Sequence, residues 1–281
     1  MANHGMAAAE AALRARKLDR TLTTALPALG RTDVAVAPTA IDPLDACLRG
    51  GLPRGHLSEI AGPRSAGRTT LLLQLLAAAT RRGEIAAVVD TCDCLDVASV
   101  VFAGVELDRL LWIRGSPTPS TLADRAIERA LKALNLVLQA GGFGVVAIDL
   151  ADAPLAALNR IPFTTWLRIQ RTIEASETAC VLMGPCPLAR SAGGLTLSVT
   201  GRPRWDGATD RSRRLTGTDV AVRVISPRRR IDRDVAITAA SADGPRGHRD
   251  TENIYSGSVS PRTGSYRRPD PLGPGSPRPT Q

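Results

Sequence analysis

From residue 56 onward, short apolar-rich runs alternate with longer stretches in which apolar positions recur every three or four residues. The runs at 56–61, 85–90, 110–113, 145–149 and 178–183 have the length and composition of buried strands. Between them lie TTLLLQLLAAATRR, the segment STLADRAIERALKALNLVLQAGG and residues 162–176, each long enough to return the chain in parallel. In the second of these, Ser120 is the expected N-cap, Asp124 and Glu128 fall early in the helix, and Gly141 lies past its end. Beyond residue 193 the grammar changes to short β-like runs at 195–200, 219–226 and 234–239, joined by turn residues and arginines. These predict antiparallel strands that extend one edge. The expected fold class is α/β, with a central, mostly parallel sheet flanked by helices. Residues 1–30 read as a helix of strong helix formers and a linker, residues 31–239 as the core domain. Residues 240–281, rich in Gly, Pro, Ser and Arg, read as a disordered tail.

Composition narrows this frame. At 43% hydrophobic residues the 281-residue chain can bury a substantial core. Aromatics make up only 3%, so that core is aliphatic, and a binding surface built mainly from stacked rings is disfavoured. Lys and Arg number 36 against 27 Asp and Glu, a net charge of +9, yet among the basic residues only Lys17 and Lys132 are lysine. Arginine abundance is therefore a compositional bias before it is a sign of function. Five cysteines and the lack of a charged-then-apolar leader predict free thiols in a reducing cytoplasm. Cys92 and Cys94 form a C-x-C pair with no second pair to complete a zinc site. Gln74, Asn135 and Gln139 interrupt the most apolar stretches, so no membrane span is predicted.

The segment Gly62-Pro63-Arg64-Ser65-Ala66-Gly67-Arg68-Thr69 fits G-x-x-x-x-G-K-[ST] everywhere except at the lysine, which is Arg68. Glycines at this spacing let successive backbone N–H groups turn toward a phosphate, and the helix that follows adds the positive end of its dipole. A strand before and a helix after supply the required context. The candidate nucleotide-binding residues are Gly62, Pro63, Arg64, Ser65, Ala66, Gly67, Arg68, Thr69 and Thr70; the alternative is an ordinary tight β-α turn. Thr69 offers a hydroxyl to Mg²⁺. Asp149, closing the run at 145–149, is placed for the second Mg²⁺-associated group, or is a plain strand-end acid. Arginine is longer and planar where lysine is compact, and the two are not interchangeable at close quarters.

The stretch from residue 39 to 115 resembles bacterial RecA recombinases. A turn with Gly50-Gly51-Leu52-Pro53 leads through G-hydrophobic-E-hydrophobic into the loop. The D-x-x-x-x-L-D pattern from Asp90 to Asp96 and the G-V-x-L-D-x-L segment from Gly104 to Leu110 then follow in the family's order. The resemblance runs from 39 to 200 and more loosely to 230. It implies a RecA-like P-loop NTPase fold, ATP and Mg²⁺ as ligands, and DNA, taken as single-stranded, as partner. It also implies a role in bacterial DNA repair, recombination and the SOS damage response. Subunit docking head to tail through the N-terminal helix follows from the same resemblance, with a merely local cap as the alternative.

The departures from that pattern matter as much. The acid expected to activate the attacking water falls at Cys92, and a neutral thiol cannot do that work; Asp93 beside it is a weaker candidate. After the fifth run the family's Asn-Gln, a γ-phosphate sensor leading into a DNA-binding loop, is replaced by Gly184-Pro185. Together with Arg68 these changes predict weak or absent hydrolysis. Gly51-Leu52-Pro53-Arg54-Gly55 and Leu110-Leu111-Trp112-Ile113-Arg114 are also similar to RecA-like accessory proteins of the ImuA type and the related SulA-like group, whose nucleotide motifs decay. That resemblance implies a scaffold beside a mutagenic translesion polymerase, without nucleotide or DNA binding of its own. A third reading is a working ATP-dependent recombinase in which Arg68 replaces lysine and Asp93 the missing acid.

Charge position separates these readings. Residues 202–233 hold ten arginines against four aspartates. The candidate DNA contacts are Arg202, Arg204, Arg211, Arg213, Arg214, Arg228, Arg229 and Arg230, with Trp205 available to stack on a base. The alternative is a solvated arginine-rich loop with Trp205 packed on the sheet.

Overall fold

The computed structural model describes residues 35–116, 122–189, 194–207, 212–226, 231–240 and 255–260. The expected N-terminal helix, Ser120, Arg211, Arg228, Arg229 and Arg230 lie outside the described residues. A short antiparallel pair, β1 (Val36–Ala37) and β2 (Leu52–Pro53), encloses helix α1 (Asp42–Leu48). The chain then alternates β3 (His56–Ala61), α2 (Arg68–Arg81), β4 (Ala86–Asp90), α3 (Val97–Phe102), β5 (Leu110–Arg114), α4 (Ala123–Ala140) and β6 (Val145–Asp149). A short α5 (Leu155–Leu158), α6 (Phe163–Ile173) and β7 (Ala179–Gly184) follow. It finishes in β8 (Thr196–Asp206), β9 (Arg214–Ser226), β10 (Ile231–Ala240) and β11 (Tyr255–Ser260).

The main sheet has the order β11-β10-β9-β8-β3-β7-β6-β4-β5. Strands β5, β4, β6, β7, β3 and the start of β8 run parallel, whereas β8 to β11 pair antiparallel. Parallel strands roofed on both faces must be apolar throughout, and Val145 to Ile148 of β6 are each 0% exposed. On one face α2 packs with Leu44 and Leu48 of α1 over Ile60, Val88 and Val181. It is buried without a break from Leu71 to Thr80 because it is covered on both sides. On the other face α4 lays Ile127, Leu134 and Leu138, spaced as one helical stripe, against the strands, and α6 adds Trp166, Ile169 and Ile173. Each such side chain contributes about 1.5–3 kcal/mol by burial. Among the described residues no helix is long and apolar enough to cross a membrane.

Three differences from the sequence reading have physical causes. Strands β8 and β9 run well past the apolar runs at 195–200 and 219–226, because a two-stranded ladder is held by backbone hydrogen bonds and tolerates Arg, Pro and Trp on its outer part. Residues 255–260, assigned by composition to a disordered tail, pair antiparallel with β10 from Asp234 to Ala239. An edge strand needs backbone partners more than apolar side chains. Helix α4 begins at Ala123, where Leu122 provides no side-chain cap, while Gly141 past its end takes φ 68° as expected.

Candidate phosphate-loop site and basic ribbon

The carboxyl ends of β3, β4, β6 and β7 emerge on one edge of the sheet, bringing residues 62–69, 90–95, 149–152 and 184–188 together. Such an edge is where open α/β sheets place their ligands. Here the loop after β3 turns through Ser65 at φ 60° and Gly67 at φ 92° before α2 starts, with the Leu71 N–H donating to the Gly67 carbonyl at 3.0 Å. Its back is packed tightly. A Cβ at Gly62 would stand 2.3 Å from the Val199 carbonyl oxygen, and one at Gly201 would stand 2.9 Å from the Ala66 backbone. The glycine at 62 is thus required by contact with β8.

The side chains of the loop are otherwise engaged than a phosphate site asks. Arg68, only 7% exposed, donates from Nη1 to the Gly184 carbonyl at 3.0 Å, at the last residue of β7. The same carbonyl accepts from the Gly62 N–H at 3.3 Å. Arg64 is exposed and paired with Asp152 at 2.6 Å. Thr69 is exposed in the first turn of α2 and Thr70 is half-buried. Asp149 accepts from the Ala151 N–H at 2.8 Å. Burial, assisted by the charges of Asp90 and Asp152, pushes its carboxyl up to about 6 against the opposing pull of that hydrogen bond and of Arg68.

The loop after β4 explains the fate of the two candidate catalytic positions. Asp90, 1% exposed, accepts from the Cys94 N–H at 3.0 Å, the Leu95 N–H at 2.9 Å and Trp112 Nε1 at 3.3 Å. That binds residues 91–95 into a turn with Asp93 at φ 57°. The turn throws Asp93 toward β5, where Arg114 grips it through Nε at 2.7 Å and Nη2 at 2.9 Å while lying 4.7 Å over the Trp112 ring. The Arg114 guanidinium holds the Asp93 carboxyl below its ordinary range. Since β5 and β6 flank β4 on opposite sides, Asp93 is drawn away from Asp149 and is not placed to replace the missing acid. Cys92 does face the cluster. Burial first, then Cys94, Asp149, Asp152 and Asp90, push its thiol up to about 11, so it stays neutral and unreactive. Burial also raises Cys94 and Cys180, the latter to about 12; all five cysteines are free.

A nucleotide with Mg²⁺ would find the right loop shape, an exposed Thr69 hydroxyl and Asp149, but also a buried arginine committed to β7 and a neutral thiol where an acid is needed. The residues present do not fit a hydrolysable Mg-ATP. Sequence reasoning missed the partner of Arg68, 116 positions away, although Arg68 and Gly184 had each stood out alone. It also missed Arg54, which ties Val36, Gly144 and Glu177 carbonyls and Glu84 together and is a framework residue.

The basic strands behave differently. Up to Val199, β8 is mostly buried; from Arg202 to Asp206 every residue is exposed, in register with the outer end of β9. Arg202 lies opposite Asp219, Trp205 opposite Leu215, and a bulge separates Arg204 from Trp205. Trp205 is 54% exposed, so it does not pack on the sheet. Arg204 approaches Asp219 no closer than 3.9 Å. Arg213 and Arg214 are exposed at the start of β9. The structure therefore brings Arg202, Arg204, Trp205, Arg213 and Arg214 onto one projecting ribbon.

Comparison with known proteins agrees with this architecture. Protein RecA of Methylococcus capsulatus is 42% identical over 118 residues, covering 42% of this chain and 31% of that protein. Protein RecA of Syntrophus aciditrophicus is 37% identical over 166 residues, covering 54% and 46%. The chain thus spans less than half the length of these relatives. A crystal structure of the RadB recombinase superposes with a TM-score of 0.50 over 73% of this chain and 96% of that one, at 18% identity, a likeness of fold. The central, mostly parallel sheet with its flanking helices is RecA-like, and with the RecA N-terminal domain matched over residues 15–160, more than half its length, this chain belongs to the RecA family.

Proposed function

We propose that this is a RecA-like protein of bacterial DNA repair or recombination, acting in the damage response, that binds DNA through its β8–β9 ribbon and hydrolyses ATP weakly or not at all. The observation that carries it is the ribbon, where Arg202, Arg204 and an exposed Trp205 stand clear of the sheet. Guanidinium groups there neutralise phosphates and release counterions, and the indole stacks on an unpaired base, which favours single strands. The buried Arg68 and neutral Cys92 support the weak hydrolysis. Free thiols fit a reducing cytoplasm. The test is fluorescence anisotropy of labelled single- and double-stranded oligonucleotides across a salt series, with phosphate release measured in parallel. Salt-dependent binding without DNA-stimulated turnover is expected; turnover abolished by Asp149→Ala would overturn the reading.

A second reading, self-association, is favoured by a separate observation. Around the β5 edge Ile85, Val97, Val101, Phe102, Leu107 and Leu111 are each at least 42% exposed, a concentration that a soluble surface seldom carries without a protein partner. Phe102→Glu should reduce the assembly mass seen by light scattering. An unchanged monomer in both forms would leave this edge to a different partner, such as a polymerase, and would count against self-association.

A further inference from the structure

We propose that Arg68 and Glu59 form a clamp that fixes the turn at 184–188 after β7 and the base of the ribbon without nucleotide. This rests on the ribbon being the DNA-binding element. Arg68, at the first residue of α2, holds the Gly184 carbonyl at 3.0 Å, and Gly62 holds the same atom from the start of the loop. Four residues further on, the Leu188 N–H donates to Glu59 Oε2 at 3.2 Å, and Glu59 is 1% exposed in β3. Two buried polar side chains, one on each side of the loop, thus grip the two ends of the turn at 184–188.

The back of the loop meets the ribbon's base. Gly62 lies against the Val199 carbonyl and Gly201 against Ala66, while a Cβ at Gly67 would stand 2.6 Å from Val220 Cγ2 of β9. The loop is therefore wedged between the start of the turn at 184–188 and the inner halves of β8 and β9. Guanidinium burial is costly unless its donors are matched, and here the match is the main-chain carbonyl of Gly184, the last residue of β7, where the turn at 184–188 begins. A cation spent in this way is withheld from a phosphate. The position that would sense nucleotide instead supplies a constant internal contact, so the ribbon is held in one arrangement whether nucleotide is present or not.

The test is hydrogen exchange on the full chain with and without Mg-ATP, for the wild type, Arg68→Met and Arg68→Lys. In the wild type, peptides covering 179–189 and 196–206 should exchange at the same rate in both conditions. Arg68→Met, which keeps the apolar stem, should speed exchange there about ten-fold, the scale of a lost charge-assisted hydrogen bond, while β4 and β6 keep their protection. Arg68→Lys keeps the charge and serves where the methionine variant fails to fold. It should exchange faster in the same peptides and be slowed again by Mg-ATP, a nucleotide response that a purely structural residue would not produce. Slowing of the wild type by Mg-ATP, or wild-type rates in both variants, would overturn the clamp. The measurement uses no DNA, so failure of DNA binding by the ribbon would be seen separately, as unchanged anisotropy when Arg202, Arg204 and Trp205 are replaced.

Discussion

The phosphate-loop edge and the outer ribbon belong to one sheet, yet they treat charge in opposite ways. At the edge each of these charges is spent on a partner within the protein: Arg68 on Gly184, Arg114 on Asp93, Arg64 on Asp152, Asp90 on two backbone N–H groups and an indole. Asp90, Asp93, Asp149 and Asp152 there outnumber Arg64, Arg68 and Arg114, so a bare triphosphate would meet net negative charge. On the ribbon Arg202, Arg204 and Trp205 are exposed, and Arg204 comes no closer than 3.9 Å to Asp219. The difference teaches that loop shape and loop chemistry are separable. The glycine spacing that builds a phosphate cradle also builds a wedge, and which one results is decided by where the following cation goes.

The strongest way to break this comparison is to remove the ribbon's outward chemistry. Replacing Arg202, Arg204 and Trp205 together by Ala should weaken single-stranded DNA binding about 100-fold at low salt and flatten the salt dependence by about two phosphate contacts. Anisotropy against sodium chloride measures both. An equal loss of affinity with an unchanged slope would assign the effect to folding of the ribbon and not to its charge. Next in size is Gly62→Ala. With a methyl 2.3 Å from the Val199 carbonyl the loop must shift off β8, and overpacking of this kind costs about 2 kcal/mol. Urea denaturation should report that loss, whereas a side facing an open phosphate site would tolerate the methyl.

How far this was legible in the sequence follows from the range of each interaction. The strands at 145–149 and 178–183 and the helix at 162–176 were readable because burial on a fixed period is local information. Strand β11 was not, since Tyr255 to Ser260 is held by the β10 backbone and its composition is that of a loop. At the candidate site the sequence marked Arg68, Cys92 and Gly184 as departures, but the Arg68–Gly184 bond joins the first turn of α2 to the end of β7, 116 positions away, and no local pattern encodes it. The aim of Asp93 depended on a left-handed turn that two backbone N–H bonds to the Asp90 carboxylate impose. Trp205 could be read as packed or exposed until its position beyond the buried half of β8 was known.

Asp149 sharpens the comparison by pH. With its carboxyl raised from 3.8 to about 6 chiefly by burial, both folded and unfolded chains are protonated here below about pH 4. Between pH 4 and 6 the unfolded chain gives up its proton first, so the stability this group contributes is lost as pH rises through the folded value. Asp149→Asn should therefore be more stable than the wild type at pH 7.5 by about 1–2 kcal/mol, allowing for partial solvent access. The gain should vanish near pH 4. Thermal melts in a buffer series test this, and a gain that stays constant with pH would show that the acid is not held against its charge.

The smallest expected effect is at Asp93. If the edge retained a water-activating acid, Asp93→Asn would remove whatever phosphate release the protein has. The geometry predicts the reverse. Its carboxylate is turned to Arg114 on the β5 side, exposed and screened, and exposed pairs contribute little to stability. Asp93→Asn should leave both the melting temperature and the residual phosphate release within error of the wild type. Its one visible trace should be at the neighbouring ring. With one of its two anchors weakened, Arg114 samples more positions above Trp112, and the Trp112 emission should shift in a protein whose Trp166 and Trp205 have been replaced by Phe. A loss of turnover from this single substitution would return chemistry to the loop edge and erase the distinction between the two regions.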